Sequence, residues 1–355
     1  VLADIRIGNR TIGTGHKPFV IAEMSGNHNQ SLERAMQIVK AAAAAGADAL
    51  KLQTYRADTM TLDLNRAEFA ITDPKSLWCG KSLYQLYEEA HTPWEWHAPI
   101  IARCKKLGLI CFSTPFDETA VDFLESLDVP AYKIASFENT DLSLVARVAA
   151  TRKPLIISTG MATANEIGET VNHARTHGAS EIVLLKCTSS YPAQPTDSNL
   201  RTISDLRERF GVQVGLSDHT VGNTAAIASI ALGAVVIEKH FTLCRADGGP
   251  DAAFSLEPEE LRTLVNETTV AWQAMGTVVY DSTESERRSL QFRRSTYVVK
   301  DIRAGELFTN AHLRAIRPGF GMPPKYSTET IGKAAAKDVS AGTPLTPDLI
   351  RGAKE

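Results

Sequence analysis

The chain lacks any cysteine pairing that reads as a framework. Cys79, Cys104, Cys111, Cys187 and Cys244 show no CxxC and no small-domain disulfide spacing, which fits reduced thiols and a cytoplasmic setting. No apolar run reaches the roughly 18 residues needed to cross a bilayer. The opening VLADIRIGNRTIG carries charge early and alternates like a strand, unlike a signal peptide. An excess of one charge is also missing: 38 Lys and Arg stand against 41 Asp and Glu, for a net −3. That balance excludes a general attraction to nucleic acid or anionic membrane and leaves room only for a local basic pocket. A phosphate loop is absent too. The glycines of GTGHKP at 13–18 are not followed by the lysine and hydroxyl that cradle a nucleotide, so they read as a turn. His173 and His177 lie four apart in HARTH, which has no metalloprotease glutamate and reads as solvated histidines on an outer helix.

What is present is a repeated alternation of short apolar runs and helical patterns. The strand candidates are 19–24, 49–54, 109–114, 131–136, 154–160, 181–188, 213–219 and 235–241, each apolar or β-branched as doubly buried strands are. Eight strands in about 220 residues, each followed by a helix, predict a closed (β/α)8 TIM barrel of the α/β class. An open doubly wound sheet fits six strands more easily and usually has a Gly-rich first turn, which is missing here. The insertion at 55–92 is rich in aromatics and reads as a folded flap over the barrel mouth, or as a cover that only shields the rim. Residues 1–276 form the predicted hairpin plus barrel, 277–293 a linker, and 294–355 a small C-terminal domain. In that domain VVKDIRAGELFT and AAKDVSAGTPLT echo one another.

Polar residues cluster where each buried strand feeds the next helix, a costly placement unless they have a task. Glu23, Lys51, Gln53, Thr114, Lys133, Ser136, Ser158, Lys186, Ser217, His219, Glu238 and His240 all occupy such positions. Lys51/Gln53, Ser217/His219 and Glu238/His240 are each two apart and share a strand face. His219 and His240 on neighbouring tips suit one divalent ion with open positions for water and substrate oxygen; Mn²⁺, Co²⁺, Fe²⁺ and Zn²⁺ all accept such ligands. A hydrogen-bonded histidine pair or an acid–base pair is the other reading. Lys51, Lys133 and Lys186 crowd positive charge that an anionic ligand, a phosphate or carboxylate, would compensate. A Schiff-base aldolase is the competing use of such a lysine. A non-enzymatic carbohydrate- or ice-binding role for the small domain is a third.

In their order, these residues resemble the sialic acid synthase family, the phosphoenolpyruvate-dependent nonulosonic acid synthases. The likeness runs through IAEMSGNHNQ (21–30), KLQTY (51–55), FSTPFD (112–117), YKIAS (132–136), ISTGMA (157–162), GLSDHT (215–220), IEKHFTL (237–243) and GGPDAAFSLEPEE (248–260). LRAIRPGFGMPPK (313–325) resembles the antifreeze-like (SAF) domain of the same enzymes. The resemblance implies a C–C bond-forming transferase with a divalent metal, Mn²⁺ before Co²⁺ or Mg²⁺, on His219 and His240. It implies Lys51, Gln53, Thr114, Lys133, Ser136, Ser158 and Ser217 around phosphoenolpyruvate, and Glu23 and Asp251 facing an acylated amino sugar. Glu238 is implied beside the metal, and Glu23, Lys51, Lys133 and Glu238 form the implied catalytic set. It further implies a homodimer in which Arg317 enters the partner's site.

The stretch LKCTSSYPA (185–193) adds Lys186, Ser189 and Tyr191 to the implied substrate pocket, and Ser189 stands where neuraminate-forming members carry asparagine. That departure, with SLYQLYEEAHTPWEWH (82–97), leans toward the pseudaminic branch. Its hexose is 2,4-diacetamido-2,4,6-trideoxy-L-altrose, and its product serves such ends as flagellin glycosylation. The legionaminic and neuraminic branches are the alternatives.

Overall fold

The computed structural model describes residues 2–352, which divide into two compact units on either side of the Gly276–Thr277 bond. The first unit opens with an antiparallel hairpin, β1 (Ile5–Ile7) and β2 (Arg10–Ile12). Eight parallel strands follow: β3 (Phe19–Glu23), β4 (Ala49–Thr54), β5 (Ile110–Pro115), β6 (Tyr132–Ile134), β7 (Leu155–Ser158), β8 (Ile182–Cys187), β9 (Gln213–Ser217) and β10 (Val236–His240). They close in sequence order, β10 pairing with both β9 and β3, so the predicted barrel is the observed one.

Helices pack outside this ring, beginning with α1 (Leu32–Ala45), which Ser31 caps by accepting from Arg34 N and Gly46 ends in a left-handed conformation. The insertion after β4 contributes α2 (Ala57–Met60) and α3 (Leu83–Ala90). The remaining helices are α4 (His97–Lys106), α5 (Glu118–Ser126), α6 (Leu142–Ala149), α7 (Ala164–Thr176), α8 (Thr202–Phe210), α9 (Thr224–Ile230) and α10 (Pro258–Met275). His173 and His177 lie on α7 and just past its end, and neither ring is buried.

Two apolar layers follow from the two-residue period of the strands. Val20, Leu50, Leu52, Tyr132, Leu184 and Ile237 point outward, into the shell shared with the helices. Phe19, Ala49, Phe112, Ile156, Val183 and Val236 pack into the lumen, where Ile5, Ile7 and Ile12 of the hairpin join them and plug the end from which the strands start. The lumen is therefore apolar at its floor, and its other end is free to be polar.

In the second unit, α11 (Glu284–Arg287) and a following helical turn occupy the segment expected as a linker. Then β11 (Ser295–Val298) pairs with β12 (Leu313–Ile316), and α12 (Ser327–Thr330) follows. Val298, Ile302, Phe308, Leu313, Val339 and Leu345 are among the residues of its small core. The internal echo has a structural meaning. Ile302 and Val339, at matching positions of the two copies, exchange both backbone hydrogen bonds, at 3.0 and 2.8 Å. Asp301 accepts from Ala341 N and Asp338 from Ala304 N, each at 2.7 Å. The two copies thus cap each other about a local two-fold.

Candidate active site at the barrel mouth

The lumen alternation carries on to the strand ends. Beyond the apolar floor, β3 presents Glu23, β4 Lys51 and Gln53, β6 Lys133, β7 Ser158, β8 Cys187, β9 Ser217, and β10 Glu238 and His240 to one cavity of about 530 Å³. Ser136, Ser189, Tyr191, His219 and Asp251, on the loops that follow, line it as well. Gly160 keeps the loop after β7 close to β6: its φ is +51°, and a Cβ there would meet that of Ser136 at 2.5 Å.

At the centre is a buried cluster of two lysines and two glutamates. Lys51 Nζ donates to Glu23 Oε1 at 2.7 Å and to Thr114 Oγ1 at 3.1 Å, and lies 3.7 Å from Glu238 Oε2. Gln53 Nε2 donates to the same Glu23 oxygen at 2.8 Å. Lys133 Nζ donates to Ser158 Oγ at 2.7 Å and to the Ile134 carbonyl at 3.2 Å, and is 3.7 Å from Glu238 Oε1. Ser217 Oγ donates to that Glu238 oxygen at 3.0 Å, while Oε2 has no hydrogen-bond partner among the described residues.

Burial works against every charge here, and the neighbours decide the outcome. Burial would push the Glu23 carboxyl up, yet Lys51 and His240 hold it well below the usual range. Burial would pull the Lys51 ammonium down, but Glu23 and Glu238 raise it. For Lys133 burial prevails, with Lys51 adding to it and Glu238 only partly offsetting, so its ammonium is held less firmly.

The third lysine is a correction. Strand alternation sends Cys187 into the lumen and Lys186 to the opposite face, where its Nζ donates to the Cys187 carbonyl at 3.1 Å and Thr188 Oγ1 at 2.8 Å. The mouth therefore holds two lysines already balanced by two carboxylates. Ser113, Thr159, Asp218 and Lys239 continue the outward rows of their strands, so the polar strand ends split between two faces. On the outer face Ser113 bonds Thr54 at 2.6 Å, and Thr54 bonds His97 Nε2 at 2.8 Å. Thr114 stays on the lumen side beneath Lys51 without lining the cavity. Arg317 is an exposed residue of the second unit.

His219 and His240 face each other with ring centroids 5.3 Å apart, flanked by Tyr191 at 4.5 Å from His219 and Phe254 at 4.9 Å from His240. The Thr188 carbonyl, 2.9 Å from His219 Nδ1, requires a proton on that nitrogen and leaves a lone pair on Nε2. His240 Nδ1 is buried with no hydrogen-bond partner, and its Nε2 is 3.4 Å from Glu23. The orphaned His240 Nδ1, 3.7 Å from Asp251 Oδ2, and the lone pair that a neutral His219 ring carries on Nε2 are the donors with which two imidazoles would hold a divalent ion. Among the described residues no set of three His, Cys, Asp or Glu forms a closed cage, so water and substrate oxygens would fill the other positions.

The insertion after β4 forms the roof. Trp78 Nε1 donates to the Pro250 carbonyl at 2.8 Å, and its ring lies 5.8 Å from Tyr191. Met60, Ile71, Leu83 and Leu86 turn toward the cavity, with Asp73 and Ser76 among them. Trp94 stacks on Phe123 at 4.6 Å, and Trp96 meets His28 edge-on at 5.5 Å.

Sequence reasoning did not select Cys187, Ser25, Phe254 or Glu138. Cys187 was readable from the alternation, two residues before Ser189. Ser25 donates to Asp251, a contact between residues 226 apart that no local pattern signals. Glu138 lines the cavity with one oxygen unpartnered, and burial pushes its carboxyl up to about 7.

Residues 38–280 match the NeuB family model, and residues 293–351 match the SAF domain. The chain is 43% identical over 341 residues to pseudaminic acid synthase of Campylobacter jejuni subsp. jejuni serotype O:2, covering 96% of this chain and 98% of that protein. It is 42% identical over 336 residues to pseudaminic acid synthase of Helicobacter pylori, covering 94% and 98%. Among solved structures, the N-acetylneuraminic acid synthetase of Leptospira borgpetersenii in complex with citrate superposes with a TM-score of 0.73. It is 30% identical, covering 82% of this chain and 96% of the other.

Proposed function

The chain belongs to the NeuB family, and from that premise we propose that it is a phosphoenolpyruvate-dependent synthase of pseudaminic acid. It joins phosphoenolpyruvate to 2,4-diacetamido-2,4,6-trideoxy-L-altrose, adds water and releases phosphate. The observation that carries this reading is one cavity holding the Lys51–Glu23–Glu238–Lys133 cluster beside the His219–His240 pair.

Two substrates must be gripped at once, and the cavity offers two kinds of grip. Lys51 and Lys133, with the Ser136, Ser158 and Ser217 hydroxyls, make an anion-binding end for the phosphate and carboxylate of phosphoenolpyruvate. An arriving anion would offset the burial that pulls the Lys133 ammonium down. Gln53 orients Glu23, and Glu23 with Asp251 faces the sugar hydroxyls and amides. His219 and His240 would hold a divalent ion, in our reading Mn²⁺ with Co²⁺ or Mg²⁺ as alternatives, which when bound would supply Lewis-acid polarisation for the sugar aldehyde. In this reading Glu238, whose carboxylate lies between the two lysines with its unpartnered Oε2 on the Lys51 side, orients the water that adds at C2. Catalysis is then mostly positioning and fixed electrostatics.

The apolar roof of Met60, Ile71, Leu83 and Leu86 supports a sugar whose C6 is a methyl group rather than a hydroxymethyl. No helix among the described residues is long and apolar enough to cross a membrane, and we place the enzyme in the cytoplasm with its soluble substrates. The active form in this reading is a homodimer, with Arg317 of each small domain completing the partner's sugar site.

The test is a panel of acylated amino hexoses offered with phosphoenolpyruvate and Mn²⁺, read by phosphate release and product mass. The altro sugar should give the fastest turnover. Preference for the legionaminic precursor or N-acetylmannosamine would move the chain to a neighbouring branch. A borohydride-trapped lysine adduct would replace the reading with a Schiff-base aldolase.

A further inference from the structure

His219 lies beyond the end of β9, in a loop that must be held still if its ring is to meet that of His240. The β8 side provides two anchors: Ala193 N donates to the His219 carbonyl at 3.0 Å, and the Thr188 carbonyl takes the His219 Nδ1 proton at 2.9 Å. On the β10 side, Asp218 N donates to the Glu238 carbonyl at 2.9 Å. Past that point the loop turns away, and the Thr220 and Gly222 carbonyls point into the space behind the strand.

Lys239 fills that space. It sits between Glu238 and His240 on β10, so its side chain leaves by the opposite face and cannot touch a substrate in the lumen. Its ammonium donates to Asp218 Oδ2 at 2.9 Å, to the Thr220 carbonyl at 2.6 Å and to the Gly222 carbonyl at 2.8 Å. Asp218 Oδ1 in turn accepts from Thr220 N at 2.9 Å. Lysine has three donors and this site has three acceptors, with the lysine side chain 0% and the aspartate 2% exposed. Burying two charges is a costly way to stabilise a loop, since a packed apolar pair often serves as well. What an apolar pair lacks is direction. The ammonium ties the His219 loop to the strand that carries His240, two positions that share no backbone pairing of their own.

We propose that Lys239, acting with Asp218, is a positioning residue that sets the spacing of the His219–His240 pair and thereby the affinity for the divalent ion. The inference rests on the metal reading above and adds the device that enforces it. It assigns no contact with substrate to Lys239.

The experiment measures Mn²⁺ binding directly, by the electron paramagnetic resonance signal of the free ion, in wild type, Lys239→Met, Lys239→Arg and Asp218→Asn. Phosphoenolpyruvate binding without metal, by calorimetry, reports on the separate Lys51–Lys133 end. Lys239→Met should weaken Mn²⁺ binding roughly 10- to 100-fold while phosphoenolpyruvate affinity changes by less than about twofold. Lys239→Arg keeps the charge, but its planar fork cannot reach three converging acceptors, so a loss of the same kind is expected. Asp218→Asn keeps an acceptor for the ammonium and should show a smaller fall. If Lys239→Met does not fold, the arginine and asparagine variants carry the comparison. Wild-type Mn²⁺ affinity in the folded variants overturns the proposal, as does an equal loss of phosphoenolpyruvate binding, which marks general loosening. A wild-type chain that binds no Mn²⁺ removes the metal reading and this inference together.

Discussion

The Lys51 ammonium and the Glu23 carboxylate form a hydrogen-bonded ion pair at 2.7 Å, with side chains 3% and 4% exposed. Neighbours on adjacent strands, they are paired across the β3–β4 register. Each makes the other's charge tolerable where burial has stripped both of most of their hydration. Lys51→Met should leave Glu23 without its main partner and destabilise the barrel by about 3–5 kcal/mol, while lowering kcat/KM at least about 100-fold. Denaturant unfolding and steady-state kinetics check both figures. A loss below about 1 kcal/mol would mean that water reaches the pair.

Metal dependence should pass through both histidines. EDTA treatment should abolish turnover and Mn²⁺ or Co²⁺ should restore it, while His219→Ala and His240→Ala should each lose bound metal by elemental analysis. Full turnover by metal-free enzyme would end the two-imidazole reading.

Acid should weaken the barrel through two histidines outside the site. Burial pulls the His28 and His97 imidazoles from about 6.5 down to about 4. Between those limits the unfolded chain binds protons that the folded chain refuses, so stability is complete above about pH 6.5 and falls as pH drops toward 4, by on the order of a few kcal/mol. Glu138, pushed up to about 7, acts oppositely and disfavours folding as pH rises above about 4.5. Ring-proton NMR should find His28 and His97 neutral at pH 5; titration of both near 6.5 would refute the burial argument.

The flap should read the methyl end of the sugar. Ile71→Asn places an amide in the apolar roof and should lower kcat/KM for the 6-deoxy hexose about tenfold relative to a 6-hydroxy analogue. Parallel kinetics with both sugars measure that ratio, and an unchanged ratio would return the insertion to a plain cover.

Arg317 should act across the dimer. Mixing inactive Arg317→Ala and His219→Ala proteins under subunit exchange creates heterodimers in which one of the two sites is intact, so the heterodimer should recover about half of wild-type activity and an equal, fully exchanged mixture about a quarter. No recovery in verified heterodimers would place Arg317 in its own subunit's site or outside the chemistry.

Much of this was legible in the chain because strands buried on both faces write themselves as short apolar runs. The observed barrel strands match the expected runs to within one or two residues, from Phe19–Glu23 to Val236–His240. The polar tips were equally visible, since Glu23, Lys51, Lys133 and His240 stand out against valine and isoleucine. Face assignment was harder where a strand end carries polar residues in succession. Lys186, beside Cys187, looked like a third cation of the mouth and instead points outward. Lys239, flanked by Glu238 and His240, passed unnoticed though it is among the most buried side chains.

The sequence by itself determined the eight-strand alternation, the polar ring and the residue types that compete for it, because period and composition are local properties. Tertiary structure alone decided how the charges divide. Closing the ring brings Glu238 within 3.7 Å of both Lys51 and Lys133, although these lysines lie more than a hundred residues from it in the chain. It also brings Ser25 to Asp251 and Trp78 to Pro250. Pairings of that kind depend on shear, tilt and loop path, which arise only when all eight strands close together.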